Sequence, residues 1–160
     1  STTEQEDKMK TELFKYFMEN DSTLYVGDFE TAYKNFANYP RISEMMAEDF
    51  YANQRKTKKM PTGFKGYDLE DFTEIKTATR SYDLKKDKYA TSIKIDGLAN
   101  KDEAKLIIII YNDTRSRTIE EVRVTPDDIR NADGSMPEYI VISDPFKANF
   151  ADKIKILKTY

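Results

Sequence analysis

Apolar residues recur at helical spacing in the first third of the chain and at strand spacing in most of the rest. Thr3-Glu4-Gln5-Glu6 has the pattern of a capping box. Met9, Leu13, Tyr16 and Phe17 come after it on one stripe, which predicts an amphipathic helix over 4–20, ended by Asn20-Asp21-Ser22. Asp28 is placed to cap a second helix with the stripe Phe29, Tyr33 and Phe36, closed before Pro40. Ser43 is placed to cap a third, with Met45, Met46, Phe50 and Tyr51 inward. Arg55-Lys56-Thr57-Lys58-Lys59, followed by Pro61 and Gly63, reads as a loop.

The pattern then changes. Residues 64–68 and 72–79 read as a pair of strands, 83–89 as helical, and 91–95 as either. Leu106 to Tyr111 is an unbroken apolar run, as expected of a central strand covered on both faces. Residues 118–125 and 139–143 read as further strands, and Pro126 opens a helical turn over 126–129. No internal repeat or linker interrupts this order. The expectation is one α/β domain over 1–160: a helical layer over 1–60, a sheet-bearing core over 61–145, and a basic tail over 146–160 with Lys153, Lys155 and Lys158.

Composition narrows the chemistry. The 160 residues include no His and no Cys. Ser-His-Asp and Cys-His triads, thiolate chemistry and the usual zinc ligands are therefore excluded. Carboxylates, amines, hydroxyls and phenols remain, and carboxylates with an amine suit oxygen-preferring Mg²⁺. No apolar run approaches membrane-spanning length, and the Thr-, Glu- and Lys-rich start predicts no signal peptide. Together with the lack of cysteine, this sets the expectation of a cytoplasmic protein without a membrane partner. The net charge of -3 hides an uneven distribution. Residues 1–54 carry 5 basic and 11 acidic side chains, residues 55–100 carry 11 and 7, and residues 101–160 carry 10 and 11. A local basic excess suits phosphate, because steering depends on the patch and not on the overall charge.

That excess surrounds one constellation. If Leu69-Glu70-Asp71 form a three-residue turn, Asp68 lies opposite Phe72 and Gly66 opposite Glu74. Asp68, Glu74 and Lys76 then share a face, with Asp68 and Glu74 as diagonal neighbours ~7–8 Å apart. Gly66 would leave room for a metal and a phosphate. An even-residue turn would put Asp68 on the wrong face unless a bulge compensates. Phosphodiester hydrolysis needs an attacking water, charge relief on phosphate and a stabilised leaving oxygen. A carboxylate-held divalent ion and a nearby lysine supply these.

Asp68 followed by Glu74-Ile75-Lys76 resembles the signature of the PD-(D/E)XK nuclease superfamily, which includes many restriction endonucleases. The polar, basic segment 77–94 and the buried strand 106–111 are similar to the elements downstream of that signature in the superfamily. The likeness covers residues 60–112. It implies a restriction-endonuclease-like α/β/α core: a mixed sheet with an N-terminal helical layer. It further implies Asp68 and Glu74 as ligands of Mg²⁺, for which Mn²⁺ can substitute, and Lys76 as the catalytic lysine. The implied activity is hydrolysis of DNA, as in a type II restriction or mobile-element enzyme, by a homodimer if both strands are cut. The sequence departs from the pattern twice: Tyr67 stands where Pro is usual, and only five residues separate Asp68 from Glu74. The short gap leaves Asp71 as a rival ligand. Many members add a helical glutamate, for which Glu44 and Glu48 are both candidates.

Blander readings stand beside these. Glu-x-Lys also occurs on ordinary exposed strands, and Arg55 to Lys59 could be a solvated loop. Arg80, Lys85, Lys86, Lys88 and Lys94 are the expected nucleic-acid contacts because they come directly after the Glu74 strand. Most of the 20 Tyr and Phe residues lie on helical stripes and read as core, with Tyr67, Tyr82 and Tyr89 as exceptions. The alternative function is a non-catalytic protein- or nucleic-acid-binding module, such as an inhibitor, a regulatory subunit or a nuclease-like domain without activity.

Overall fold

The computed structural model describes residues 12–24 and 39–160. The expected second helix and the start of the first lie outside the described residues. Helix α1 spans 12–20 and α2 spans Tyr39–Arg55. Pro40 falls in the first turn of α2, where its missing N–H leaves no bond unmade. The helix therefore starts ahead of Ser43, which is buried inside it and is not its cap. Met46, Ala47, Phe50 and Tyr51 are buried, whereas Met45 turns outward. Lys56 ends α2 with φ 55°, and the Thr57 amide donates to the Ala52 carbonyl at 3.0 Å, a Schellman closure.

Four strands make the main sheet: β1 (Thr73–Thr79), β5 (Leu106–Asp113), β6 (Thr118–Val124) and β8 (Ile154–Thr159), in the order β1-β5-β6-β8. β1 runs parallel to β5, and the other pairings are antiparallel. The expected central strand is β5, whose residues Ile107 to Tyr111 are fully buried. The C-terminal residues are not a tail. Ser143 caps α4 (Asp144–Asn149), a 3₁₀ turn comes next at Ala151–Lys153, and β8 closes the far edge of the sheet.

The two faces are covered differently. On one, Phe14, Phe17, Phe50 and Tyr51 from the helices pack with Ile75, Ile108, Ile110 and Ile119. On the other, the antiparallel ribbon of β4 (Ile93–Asp96) and β7 (Tyr139–Ile142) sets Ile93, Ile95 and Ile142 among Ile107, Ile109, Tyr111 and Val122. Phe146 and Phe150, from α4 and its end, add to this second core. The layering is helix, sheet, ribbon, and not the expected α/β/α. The crossover between the parallel strands is built without a helix. Residues 83–89, expected to be helical, form a small hairpin, β2 (Tyr82–Asp83) with β3 (Lys88–Tyr89). The Asp83 carboxylate accepts the Lys85 and Lys86 amides at 2.9 and 3.1 Å, which favours a turn over a helix. The expected helical turn is α3 (Pro126–Ile129), with Asp128 accepting the Thr125 amide at 2.8 Å. Among the described residues, no helix is long and apolar enough to cross a membrane.

Candidate functional site

The turn ahead of β1 sets the site. Leu69 forms single antiparallel bridges with Thr73 and with Lys59, and residues 64–68 form no regular strand. The turn has three residues, as expected, but they are Glu70-Asp71-Phe72, one place further on. Phe72 closes it with φ 67°, and its amide donates to the Leu69 carbonyl at 3.0 Å. Asp68 thus comes level with Glu74 and not with Phe72. Its Oδ2 accepts the Ile75 amide at 2.8 Å, on the edge of β1 away from β5. Gly66 makes room for protein and not for a ligand: a Cβ there would lie 3.2 Å from the Phe64 ring and 3.3 Å from the Glu103 carboxylate.

Asp68 is the shared neighbour of two further carboxyls. Glu74, on β1, is 1% exposed, and burial together with Asp68 pushes its carboxyl up to about 8. Glu48, on α2, is raised by the same two causes, burial first and Asp68 second. Of the two helical candidates, Glu48 neighbours Asp68, and the Glu44 side chain is exposed. Asp71 is drawn elsewhere, into an ion pair with Arg55 at 2.8 Å, so Asp68 and not Asp71 joins Glu74. Glu74 and Asp68 can hydrogen-bond only while they share a proton; with both ionised, the buried Glu74 Oε1 has no donor.

Two lysines meet the other oxygen. Lys101 Nζ lies 3.0 Å and Lys76 Nζ 3.5 Å from Glu74 Oε2. Lys101 also donates to the Lys65 carbonyl at 2.7 Å, tying the loop before Asp68 to the site. Lys76 reaches across Gly97, where a Cβ would come within 2.9 Å of Nζ and where φ is +77°. Beside the acids opens a cleft of about 280 Å³ lined by Glu44, Glu48, Lys59, Phe64, Tyr67 and Asp68.

No family model, curated protein or solved structure matches this chain.

Whether a divalent ion fits can be judged from the donor set. The groups are all oxygen donors, which suits Mg²⁺ or Mn²⁺, and the bare Glu74 Oε1 is an acceptor in need of a cation or a proton. Among the described residues no three acidic side chains are already arranged around one ion position. Asp68 instead contacts Glu48 and Glu74 separately. Side-chain rotation at Glu48, which is only half-buried, is the adjustment available.

The expected nucleic-acid contacts are not brought to this place together. Arg80 is buried, forked onto Asp113 at 2.8 and 3.0 Å and donating to the Ala90 carbonyl, so it cannot meet a nucleic acid. Lys85, Lys86 and Lys88 are exposed on the β2–β3 hairpin, which leaves the far end of β1, about 17 Å along the strand from Glu74. Lys94 is exposed on β4 and lies over the Tyr139 ring at 4.5 Å. The cations at the site itself are Lys76, Lys101 and Lys59. Lys101 is invisible to a motif reading; its signal is topological, since β5 runs parallel to β1 and the segment entering β5 must pass the start of β1.

Proposed function

We propose that the protein is a divalent-metal-dependent nuclease of PD-(D/E)XK type. The observation that carries this reading is Asp68 standing between Glu74 and Glu48 at the edge of β1, with Lys76 on Glu74 and one Glu74 oxygen left without a donor. The reading takes the core as restriction-endonuclease-like, with a ribbon where a second helical layer would stand. DNA is the substrate class the resemblance implies, and a homodimer is the assembly if both strands are cut.

Asp68 and Glu74 would hold the metal, with Glu48 as a third ligand. Bound there, the ion would supply Lewis acidity toward a phosphate oxygen and a lowered pKa for its water. The chain's own groups do the rest. The Ile75 amide fixes Asp68 in place. The Lys76 ammonium faces the Glu74 carboxylate and can orient a water and offset charge developing on phosphate. Lys101 holds Glu74 from the opposite loop.

The experiment is incubation with mixed linear and circular DNA in Mg²⁺, with an EDTA control, for wild type, Glu74→Gln and Lys76→Met. Cleavage is expected from wild type with Mg²⁺ alone and from neither variant, with melting temperatures showing that both variants fold. Undiminished cutting by both variants would sink the assignment. Salt-dependent DNA binding without cleavage by wild type would favour the non-catalytic binding module instead.

A further inference from the structure

Beside the acids runs a row of three rings, of which Tyr67 also packs on the second core while Phe64 and Phe72 stand outside it. Phe64 and Tyr67 have centroids 4.8 Å apart, and Tyr67 and Phe72 are again 4.8 Å apart. Phe64 is 43% and Phe72 37% exposed, far more than a core position allows. The row starts in the cleft shared with Asp68 and Glu48 and continues over the turn that feeds β1. Two backbone features hold it there. Phe72 occupies a left-handed conformation (φ 67°) that usually falls to Gly or Asn, a cost retained for a side chain that then meets solvent. Gly66 leaves the space that the Phe64 ring fills.

Basic side chains crowd the segment that leads into the row, and the carboxylates begin at Asp68. Between residues 52 and 67 there are five basic side chains and no acidic one. Lys58, Lys59 and Lys65 are exposed there, and Lys105 Nζ stands 4.3 Å over the Phe72 ring. Exposed rings in series, flanked by lysines, suit an anionic chain that carries flat apolar groups at regular intervals. That describes a nucleic acid strand whose bases are unpaired; in a duplex the base faces are stacked away and out of reach.

We propose that Phe64, Tyr67 and Phe72 are a stacking platform for unpaired nucleobases, so that the strand presented to the acids is single-stranded. The proposal rests on the nuclease reading for where the scissile phosphate lies, but not for the binding itself. The test is fluorescence anisotropy in EDTA, with a labelled 12-nucleotide strand and the same sequence as a duplex, for wild type, Phe64→Ala and Phe72→Leu. Wild type is expected to bind the single strand about 10-fold or more tightly over the duplex. Each variant should lose about 10-fold on the strand and little on the duplex, with an unchanged melting temperature. Equal affinity for strand and duplex, or variants that bind the strand like wild type, would overturn the platform. A wild-type dimer in sedimentation that falls apart in both variants would overturn it too, by naming a second copy as the occupant. The two readings fail separately: Mg²⁺-dependent cutting without a strand preference removes the platform alone, and strand binding without cutting removes the nuclease alone.

Discussion

Replacing Glu74 by Gln should stabilise the metal-free protein at high pH. Glu74 is 1% exposed, and its carboxyl is pushed from 4.5 up to about 8 by burial and by Asp68, against the pull of Lys76 and Lys101. A raised folded-state pKa means that the protonated form is the one the fold accommodates. Its contribution to stability is complete below the unfolded value and is lost as the pH rises through about 8. The interval from 4.5 to about 8, at about 1.4 kcal/mol per pH unit, sets a ceiling of about 5 kcal/mol. Gln keeps the shape of the neutral acid and cannot ionise. In EDTA, urea unfolding at pH 5 should give nearly equal stabilities for wild type and Glu74→Gln. At pH 9 the variant should be ahead by a sizeable part of that ceiling, both proteins still carrying the similar penalty of Glu48. Mg²⁺ should close the gap by stabilising wild type alone. If the two proteins lose stability in parallel between pH 5 and 9, Glu74 is not the strained group and the reasoning fails.

Other consequences can be checked more briefly. Gly97→Ala would place a Cβ within 2.9 Å of Lys76 Nζ at a backbone φ of +77°, so cleavage should fall by at least about 10-fold while the melting temperature drops only slightly; an active Gly97→Ala protein would show that the position of Lys76 is not critical. Asp113→Ala would leave the buried Arg80 guanidinium without its carboxylate and Lys147 with Glu120 alone, and equilibrium unfolding should register a loss of about 3–5 kcal/mol; a loss under about 1 kcal/mol would mean that Arg80 finds water in the variant.

The elements that were legible in the sequence are those whose signal is local. β5 showed in its unbroken apolar run, α2 in its stripe of Met46, Phe50 and Tyr51, and α3 in Pro126. Errors arose where a side chain competes with a pattern. Asp83 folds 83–89 into a hairpin by accepting two amides, and Pro40 opens a helix whose apolar stripe alone points to a start at Ser43. Arg80 looked like a phosphate contact because charge is usually solvated, but a partner 33 residues away, Asp113, lets it be buried. The motif pointed to Glu74 and Lys76, which the structure pairs at 3.5 Å, and the odd-residue turn brought Asp68 beside Glu74 with its register moved by one. The choice of Glu48 over Glu44 and the arrival of Lys101 depend on tertiary packing, which no spacing reports.

The same fold shows what it does with buried acids that have a structural role. Glu120 accepts from Tyr111 at 2.8 Å and from Thr118 at 2.5 Å, and pairs with Lys147 at 3.0 Å. Glu121 accepts from Tyr51 at 2.6 Å and pairs with Arg123 at 2.6 Å. Both lie on β6, inside the sheet, and both are furnished with donors, as buried polar groups generally are. Glu74 lies on the edge strand β1, where a loop carboxylate and a helix glutamate can approach from outside the sheet. There two lysines meet one oxygen of Glu74 and acids make the rest of the approach, so ionisation of one acid raises the cost of the next. A chain that can satisfy Glu120 and Glu121 has the means to satisfy Glu74. That it sets carboxyls as well as lysines against Glu74 on the edge strand, and donors around the others in the interior, is the physical reason to look for a cation at the first and none at the second.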